Sequence, residues 1–86
     1  MPELARFYGI RITMNIEDHP PAHFHAEYGG EEAIVLVANG EIYRGALPGR
    51  AGRLVKEWAL LHHGELDENW DRAHSGRPLL RIAPLR

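Results

Sequence analysis

The sequence contains no cysteine, and this absence removes two classes of small protein. A domain held together by disulfide bonds is excluded, as is a zinc site built from thiolates. No disulfide-linked partner is expected either. The only serine is Ser75, beside a turn glycine. The residue types that most often act as covalent nucleophiles are therefore absent or poorly placed.

Long apolar runs and a strong excess of one charge are also missing. No stretch approaches the roughly 20 apolar residues that span a membrane, and the first residues lack the apolar core of a signal peptide. The sequence therefore predicts a cytoplasmic protein without a membrane partner. Ten basic and twelve acidic residues give a formal net charge of −2. The chain as a whole has no electrostatic attraction to nucleic acid.

The chain has 86 residues, which is enough for a single domain covering residues 1–86. A domain of this size buries only roughly 60–65% of its unfolded surface and is marginally stable alone. Association adds stability, and open sheet edges readily pair with another chain. We therefore expect a homo-oligomer or a small protein partner.

Alternation of apolar and polar residues predicts strands in the first half. The pattern is clearest from Tyr8 to Ile16, where every second residue is apolar. Asn39-Gly40 predicts a type I′ hairpin, because both residues tolerate positive φ. Gly29-Gly30 predicts another turn. Four strands are expected, over residues 8–16, 23–28, 33–37 and 41–47.

The second half has the spacing of helices. Apolar residues at i, i+3, i+4 and i+7 predict a helix from Pro48 to His63, which Gly64 ends. A shorter helix follows and stops at Gly76 and Pro78. The fold class is α+β, with an antiparallel four-stranded meander packed against two C-terminal helices in a two-layer sandwich. Leu80–Ile82 forms either a short C-terminal strand or part of a tail packed across the domain. The predicted core comprises Ile10, Ile12, Phe24, Ile34, Leu36, Leu54, Val55, Trp58 and Trp70.

The segment around His19, His23 and His25 contains the residues best suited to metal binding or acid–base chemistry. In a strand, His23 and His25 project to one face together with Glu27, and His19 precedes them across Pro20-Pro21. Neutral imidazoles suit a divalent transition metal, so all three histidines are candidate metal ligands. Histidine also performs acid–base chemistry near neutral pH. Arg11, on a facing strand, completes the candidate functional surface as a phosphate contact.

A structural reading of the same residues competes with the functional one. In this reading, the His-x-His pair on a polar strand face only forms hydrogen bonds with neighbouring residues or water. Asp18 caps the following turn through its side chain. His62-His63 and His74 lie at predicted helix ends, where imidazolium interacts favourably with the dipole. A basic group has two readings as well, as a phosphate, RNA or partner contact or as a solvated helix face. Its members are Arg44, Arg50, Arg53 and Lys56.

Four segments together resemble a family of small bacterial and archaeal proteins, the domain of unknown function 4160. They are Arg6-Phe7-Tyr8-Gly9-Ile10, the eleven residues Asp18–Tyr28, Gly45-Ala46-Leu47-Pro48 and Glu68-Asn69-Trp70. The His-Pro-Pro-x-His-Phe-His part is the most specific, and Ala22 departs from it where a third proline is frequent. The resemblance implies no established activity or catalytic residue. It does imply membership of small two-gene modules, which have a toxin–antitoxin-like interpretation.

Two functions of different classes follow. The first is an interaction component of a toxin–antitoxin-like module that acts through a partner protein, with RNA as an optional further contact. The second is a small histidine-based or metal-dependent enzyme, or a metal-binding module, that uses His19, His23 and His25. A bound metal would favour the second function, and copurification with a neighbour-encoded protein would favour the first.

Overall fold

A five-stranded antiparallel sheet and two helices form the computed structural model, which describes residues 2–86. The strands are β1 (Glu3–Phe7), β2 (Ile10–Thr13), β3 (His23–Tyr28), β4 (Glu31–Leu36) and β5 (Ile42–Gly45), and the helices are α1 (Gly49–Leu61) and α2 (His63–His74). Each strand pairs with its neighbour in the chain, so the sheet order is β1-β2-β3-β4-β5. The predicted α+β meander is confirmed in class. Met1 of the predicted domain lies outside the described residues.

The prediction of four strands is wrong by one, because the first predicted strand begins in a turn that connects it to an earlier strand. Tyr8 and Gly9 both have positive φ, at 49° and 78°, and join β1 to β2 as a two-residue turn. Positive φ at both central residues is the geometry of a type I′ turn, which usually contains asparagine or glycine. Tyrosine at the first position concealed this turn in the sequence. Residues 3–7 consequently form an additional edge strand.

The two other predicted turns have different outcomes. Gly29 and Gly30 both have positive φ and join β3 to β4 as predicted. Asn39-Gly40 lies in a longer connection between β4 and β5, and only Gly40 has positive φ. A Cβ atom on Gly40 would lie 3.2 Å from the Lys56 Cα. Gly40 is therefore needed for the close approach of this loop to α1 rather than for a two-residue hairpin.

The inner face of the sheet packs against α1 and forms the core. Ile10 and Ile12 of β2, Phe24 of β3 and Trp58 of α1 are all fully buried. The Trp58 ring contacts Phe7 and Phe24, with centroid distances of 5.4 Å and 5.8 Å. Two residues of the predicted core, Ile34 and Leu36, are instead half-buried on the outer face. Side chains alternate between the two faces along this strand, and Ala33, Val35 and Val37 are the ones that point inward. Leu54 and Trp70 are half-buried at the margin of the core.

The boundary between the helices differs from the prediction. Gly64 lies inside α2 and does not end α1. The amide of His62 donates to the Trp58 carbonyl, and the His62 carbonyl accepts from the Leu66 amide. One residue therefore belongs to the hydrogen-bonding pattern of both helices, and no glycine in the left-handed conformation is required.

The C-terminal tail packs across the domain, and no strand forms in residues 77–86. The Ile82 amide donates to the Leu4 carbonyl of β1. The buried Asn69 side chain donates to the Leu80 carbonyl and accepts from the Leu80 amide. These bonds fix the tail to α2 and cover the free edge of β1. Among residues 2–86, neither helix has the length and apolar character needed to cross a membrane.

Replacing Trp58 with alanine should destabilise the protein by about 3–5 kcal/mol, because the ring is fully buried and its loss leaves a cavity. The indole nitrogen also donates to the Ala83 carbonyl over 2.8 Å. Chemical denaturation measures the free energy of unfolding. Leu61→Ala, in the same helix but 67% exposed, is the matched control and should change it by less than about 0.5 kcal/mol. Equal effects of the two substitutions would contradict this description of the core.

The hydrogen bonds of the Glu3 carboxylate should make part of the protein's stability depend on pH. Hydrogen bonds from Arg6 and Arg11 hold the pKa of its carboxyl at about 2, below the ordinary 4.5. A carboxyl whose pKa is lower in the folded state than in the unfolded state stabilises the protein at pH values above its unfolded-state pKa. This stabilisation is lost as the pH falls towards its folded-state pKa. Glu3→Gln should therefore lower the melting temperature at neutral pH, and the difference should shrink between pH 4.5 and 2. A difference that is constant with pH would show that the carboxylate charge is not responsible.

Candidate metal centre

The outer face of β3 carries the histidines that the sequence singles out. His23, His25 and Glu27 alternate along this face, whereas Phe24 and Ala26 point into the core. The register with β2 puts Thr13 opposite His25 and Arg11 opposite Glu27. The two histidine rings lie side by side with centroids 5.6 Å apart. The predicted common face of His23 and His25 follows from strand geometry.

The turn between β2 and β3 brings a carboxylate to these two rings. The Asp18 Oδ2 atom lies 2.9 Å from His23 Nε2 and 3.8 Å from His25 Nε2. One potential ligand atom from each of the three residues falls within 4.8 Å of the others. The peptide bond between Pro20 and Pro21 in this turn is cis. Asp18, His23 and His25 thus form a His-His-Asp group in which β3 meets the turn that precedes it.

The Nδ1 atom of each histidine is held by an oxygen on the opposite side of the ring. His23 Nδ1–H donates to the Pro21 carbonyl over 2.8 Å. His25 Nδ1–H donates to the Glu32 carboxylate over 2.9 Å. These partners fix the orientation of both rings, so that His23 Nε2 faces Asp18, and His25 Nε2 lies beside the Asn15 amide and 3.8 Å from Asp18. A hydrogen-bonded Nδ1 with a directed Nε2 is the usual arrangement of metal-binding histidine.

The His23 ring faces an oxygen acceptor at both nitrogens. The Pro21 carbonyl takes the hydrogen of Nδ1, and the Asp18 carboxylate faces Nε2. A neutral imidazole has only one N–H group, so it cannot satisfy both oxygens. A positive species between His23 Nε2 and Asp18, a proton or a metal ion, would satisfy both oxygens. Asn15 supports the same region, since its Nδ2 lies 3.2 Å from Asp18 Oδ2 and 3.3 Å from His25 Nε2.

The Asp18 carboxyl is ionised at neutral pH. A hydrogen bond from the His19 amide, over 2.8 Å, is the largest cause, and the Asn15 and His23 side chains add to it. Together they lower the pKa of Asp18 to about 2 against the opposing effect of burial. A metal ion would therefore meet an anionic ligand without displacing a proton from it.

Helix α2 closes one side of the site. The Trp70 ring packs against His23 with a centroid distance of 5.2 Å. His74 places one ring nitrogen 2.7 Å from the Asp18 carbonyl and the other 2.8 Å from the Trp70 carbonyl. Those two acceptors, the Asp18 carbonyl first, raise the pKa of His74. His74 thus anchors the Asp18 turn to the end of α2, where the helix dipole also favours a cation.

The other predicted site residues lie around this group. The His19 side chain is exposed and is outside the three-residue group, to which only its backbone amide contributes. Arg11 pairs with Glu3 and, over 3.9 Å, with Glu27. Arg11 is therefore paired most closely with Glu3, and Glu27 lies opposite it on β3, two residues from His25.

The predicted basic group lies elsewhere on the molecule. Arg44 is on β5, and Arg50, Arg53 and Lys56 are on α1; all four are exposed. Lys56 is paired with Glu41, whereas the three arginines form no ion pair within residues 2–86. His74 is the last residue of α2, as predicted. His62 lies between the two helices, and His63 begins α2 instead of ending α1, so the prediction of a helix C-terminus at His63 is wrong.

The sequence interpretation missed three residues of the site: Asp18 as a ligand, Asn15 and Glu32. A signal existed for Glu32. The two-residue turn at Gly29-Gly30 fixes the β3–β4 register and pairs Glu27 with Glu32, which places Glu32 diagonally opposite His25. The approach of Asp18 to His23 depends on the path of the turn, for which the sequence carries no comparable rule.

Comparison with known proteins gives one match, to the family described as "Domain of unknown function (DUF4160)", over residues 9–71. This match covers most of the chain. The chain belongs to the DUF4160 family. No curated protein and no solved structure matches it. Two of the segments that resemble the DUF4160 family meet at the site: one supplies Asp18, His23 and His25, and the other supplies Trp70.

Proposed function

We propose that this protein binds one divalent transition-metal ion through Asp18 Oδ2, His23 Nε2 and His25 Nε2. The observation that carries the proposal is the pair of acceptors on His23, which leaves a position between Nε2 and Asp18 that a positive species would satisfy. A proton is the simplest such species. The convergence of a second imidazole on the same carboxylate oxygen favours a metal ion.

The separations between the donor atoms fit a small ion. Ligand atoms on a tetrahedral zinc ion with bonds of about 2.0–2.1 Å lie about 3.3 Å apart. The observed separations from Asp18 Oδ2 are 2.9 Å and 3.8 Å. All three donor atoms lie within 4.8 Å of one another, so side-chain movements that draw the two rings together would bring them to metal-bonding distance. Two imidazoles and a carboxylate suit zinc, nickel, copper or iron better than calcium or magnesium.

The number of ligands indicates what kind of metal site this would be. Structural zinc sites usually have four protein ligands, whereas catalytic sites have three and leave a position for a small molecule. Bound in this group, the metal would act as a Lewis acid on a ligand in that position. The protein would contribute the fixed ring orientations, set by Pro21 and Glu32, and the apolar wall formed by Trp70. We therefore favour an open, reactive type of site.

Calorimetric titration of the tag-free, chelator-treated protein with zinc chloride should show one ion bound per chain. Asp18→Asn, His23→Gln and His25→Gln should each abolish this binding, because each removes one of three ligands. Glu32→Gln should lower the affinity by about 10–100-fold, because it removes only the support of His25.

His19→Gln is the matched control for this experiment. It removes an imidazole from the same segment, but one that lies outside the ligand group. Its zinc affinity should equal that of the unmodified protein, and melting temperatures should show that all variants are folded. Binding that survives all three ligand substitutions, or is lost equally in His19→Gln, would refute the site.

A second proposed function is the interaction role in a toxin–antitoxin-like module. It is favoured by the exposed edge of β5, whose four residues are all accessible to a partner. Pull-down after coexpression with the neighbour-encoded protein tests this role. Retention of the neighbour supports it, and its absence from the eluate counts against it.

A further inference from the structure

The two edges of the sheet are treated differently by the rest of the chain. The C-terminal tail covers the β1 edge through the bond from Ile82 to Leu4. One edge of β5 pairs with β4. No backbone hydrogen bond from residues 2–86 reaches its other edge, along residues 42–45. Ile42 and Tyr43 remain 41% and 52% exposed. β5 is therefore an open strand with apolar side chains, the type of edge that accepts another strand.

The charge around this edge is strongly positive. Residues 41–56 contain four basic residues and one acid, so the segment has a charge of +3 in a chain of net charge −2. The acid, Glu41, is already paired with Lys56. Arg44, Arg50 and Arg53 have no carboxylate within ion-pairing distance in residues 2–86, whereas Arg6, Arg11, Arg72 and Arg81 each have at least one. Three guanidinium groups are thus free to meet anionic groups of a partner.

A groove beside β5 offers room for side chains. It has a volume of about 350 Å³ and lies between the strand and the start of α1. Ile42 and Leu47 supply its apolar lining, and Gly49 and Gly52 keep its floor free of side chains. A strand added along β5 would direct alternate side chains to this helix-facing side of the sheet. The other side chains of that strand would lie on the outer face, beside Arg44.

We propose that the β5 edge binds an extended, acidic segment of a partner protein, which adds to the sheet as a sixth strand. Main-chain hydrogen bonds would provide affinity, and alternating apolar and acidic side chains would provide specificity. This inference gives the chemistry of the partner in the second proposed function, and it does not depend on the metal site.

A second copy of the chain and a nucleic acid fit this edge less well. Pairing β5 with β5 of another copy would bring the arginine-rich surfaces together, and like charges across a strand pair are destabilising. An RNA strand would satisfy the arginines but not the peptide groups of β5. An acidic peptide strand matches the charge, the backbone groups and the groove together.

Fluorescence anisotropy with a labelled eight-residue peptide of alternating valine and glutamate tests the proposal. The unmodified protein should bind this peptide, and a valine–lysine peptide should not bind. The Arg44→Glu variant should weaken binding by about threefold or more, because it turns an attractive exposed pair into a repulsive one. Arg77→Glu is the matched control, since it reverses an exposed arginine outside this surface. It should leave the affinity nearly unchanged.

Two N-methylated versions of the valine–glutamate peptide test the strand pairing itself. Each version lacks the backbone N–H groups along one of the two edges of the peptide strand. Strand addition predicts that only one version loses binding, because one edge faces β5. Asp18→Asn should bind the peptide normally, which separates this result from any failure of the metal site. The proposal is overturned if the peptide does not bind, if neither methylated version loses affinity, or if an octanucleotide RNA binds in its place. An Arg44-dependent dimer seen by light scattering would also overturn it, in favour of a second copy.

Discussion

The contact between the Asp18 carboxylate and the His23 ring connects the two halves of the site. Asp18 belongs to the turn after β2, and His23 begins β3, so the 2.9 Å contact closes the turn upon the sheet. The same carboxylate receives the His19 amide and the Asn15 side chain, and its carbonyl accepts from His74. Loss of the Asp18 side chain would release the turn from β3, whereas the contact of its backbone carbonyl with His74 of α2 would remain. The ligand geometry therefore depends on a few short polar contacts rather than on the hydrophobic core.

The sheet separates these polar contacts from the interactions that hold the fold together. Its inner face is buried under α1, where Trp58 contacts aromatic rings from β1 and β3. Its outer face carries the histidines and their hydrogen-bonding partners. Because alternate residues of one strand serve the two faces, Phe24 stabilises the domain while its neighbours on either side face the site. A substitution at the site can thus alter chemistry without opening the core, which makes the proposed variants informative.

Much of this arrangement was predictable from the sequence, and the exceptions have identifiable causes. Alternation places His23 and His25 on one face, and the helical spacing identifies Val55 and Trp58 as core residues. The hairpin at Tyr8-Gly9 was missed because tyrosine is an unusual residue for positive φ, and the fifth strand was lost with it. Asp18 was interpreted only as a turn cap, because the sequence gives the spacing of a residue along a strand but not the path of an irregular turn. His19 was grouped with the other histidines by proximity in the chain, although its side chain points to solvent.

The central claim is that a metal ion occupies the position between Asp18, His23 and His25. Anomalous diffraction at the zinc absorption edge, from crystals grown with zinc chloride, tests it most directly. The account predicts an anomalous peak at bonding distance, about 2.0–2.2 Å, from Asp18 Oδ2 and both Nε2 atoms, with the Nδ1 bonds to Pro21 and Glu32 retained. A peak only at His62, His63 or a contact between molecules, with no density among the three ligands, would contradict it.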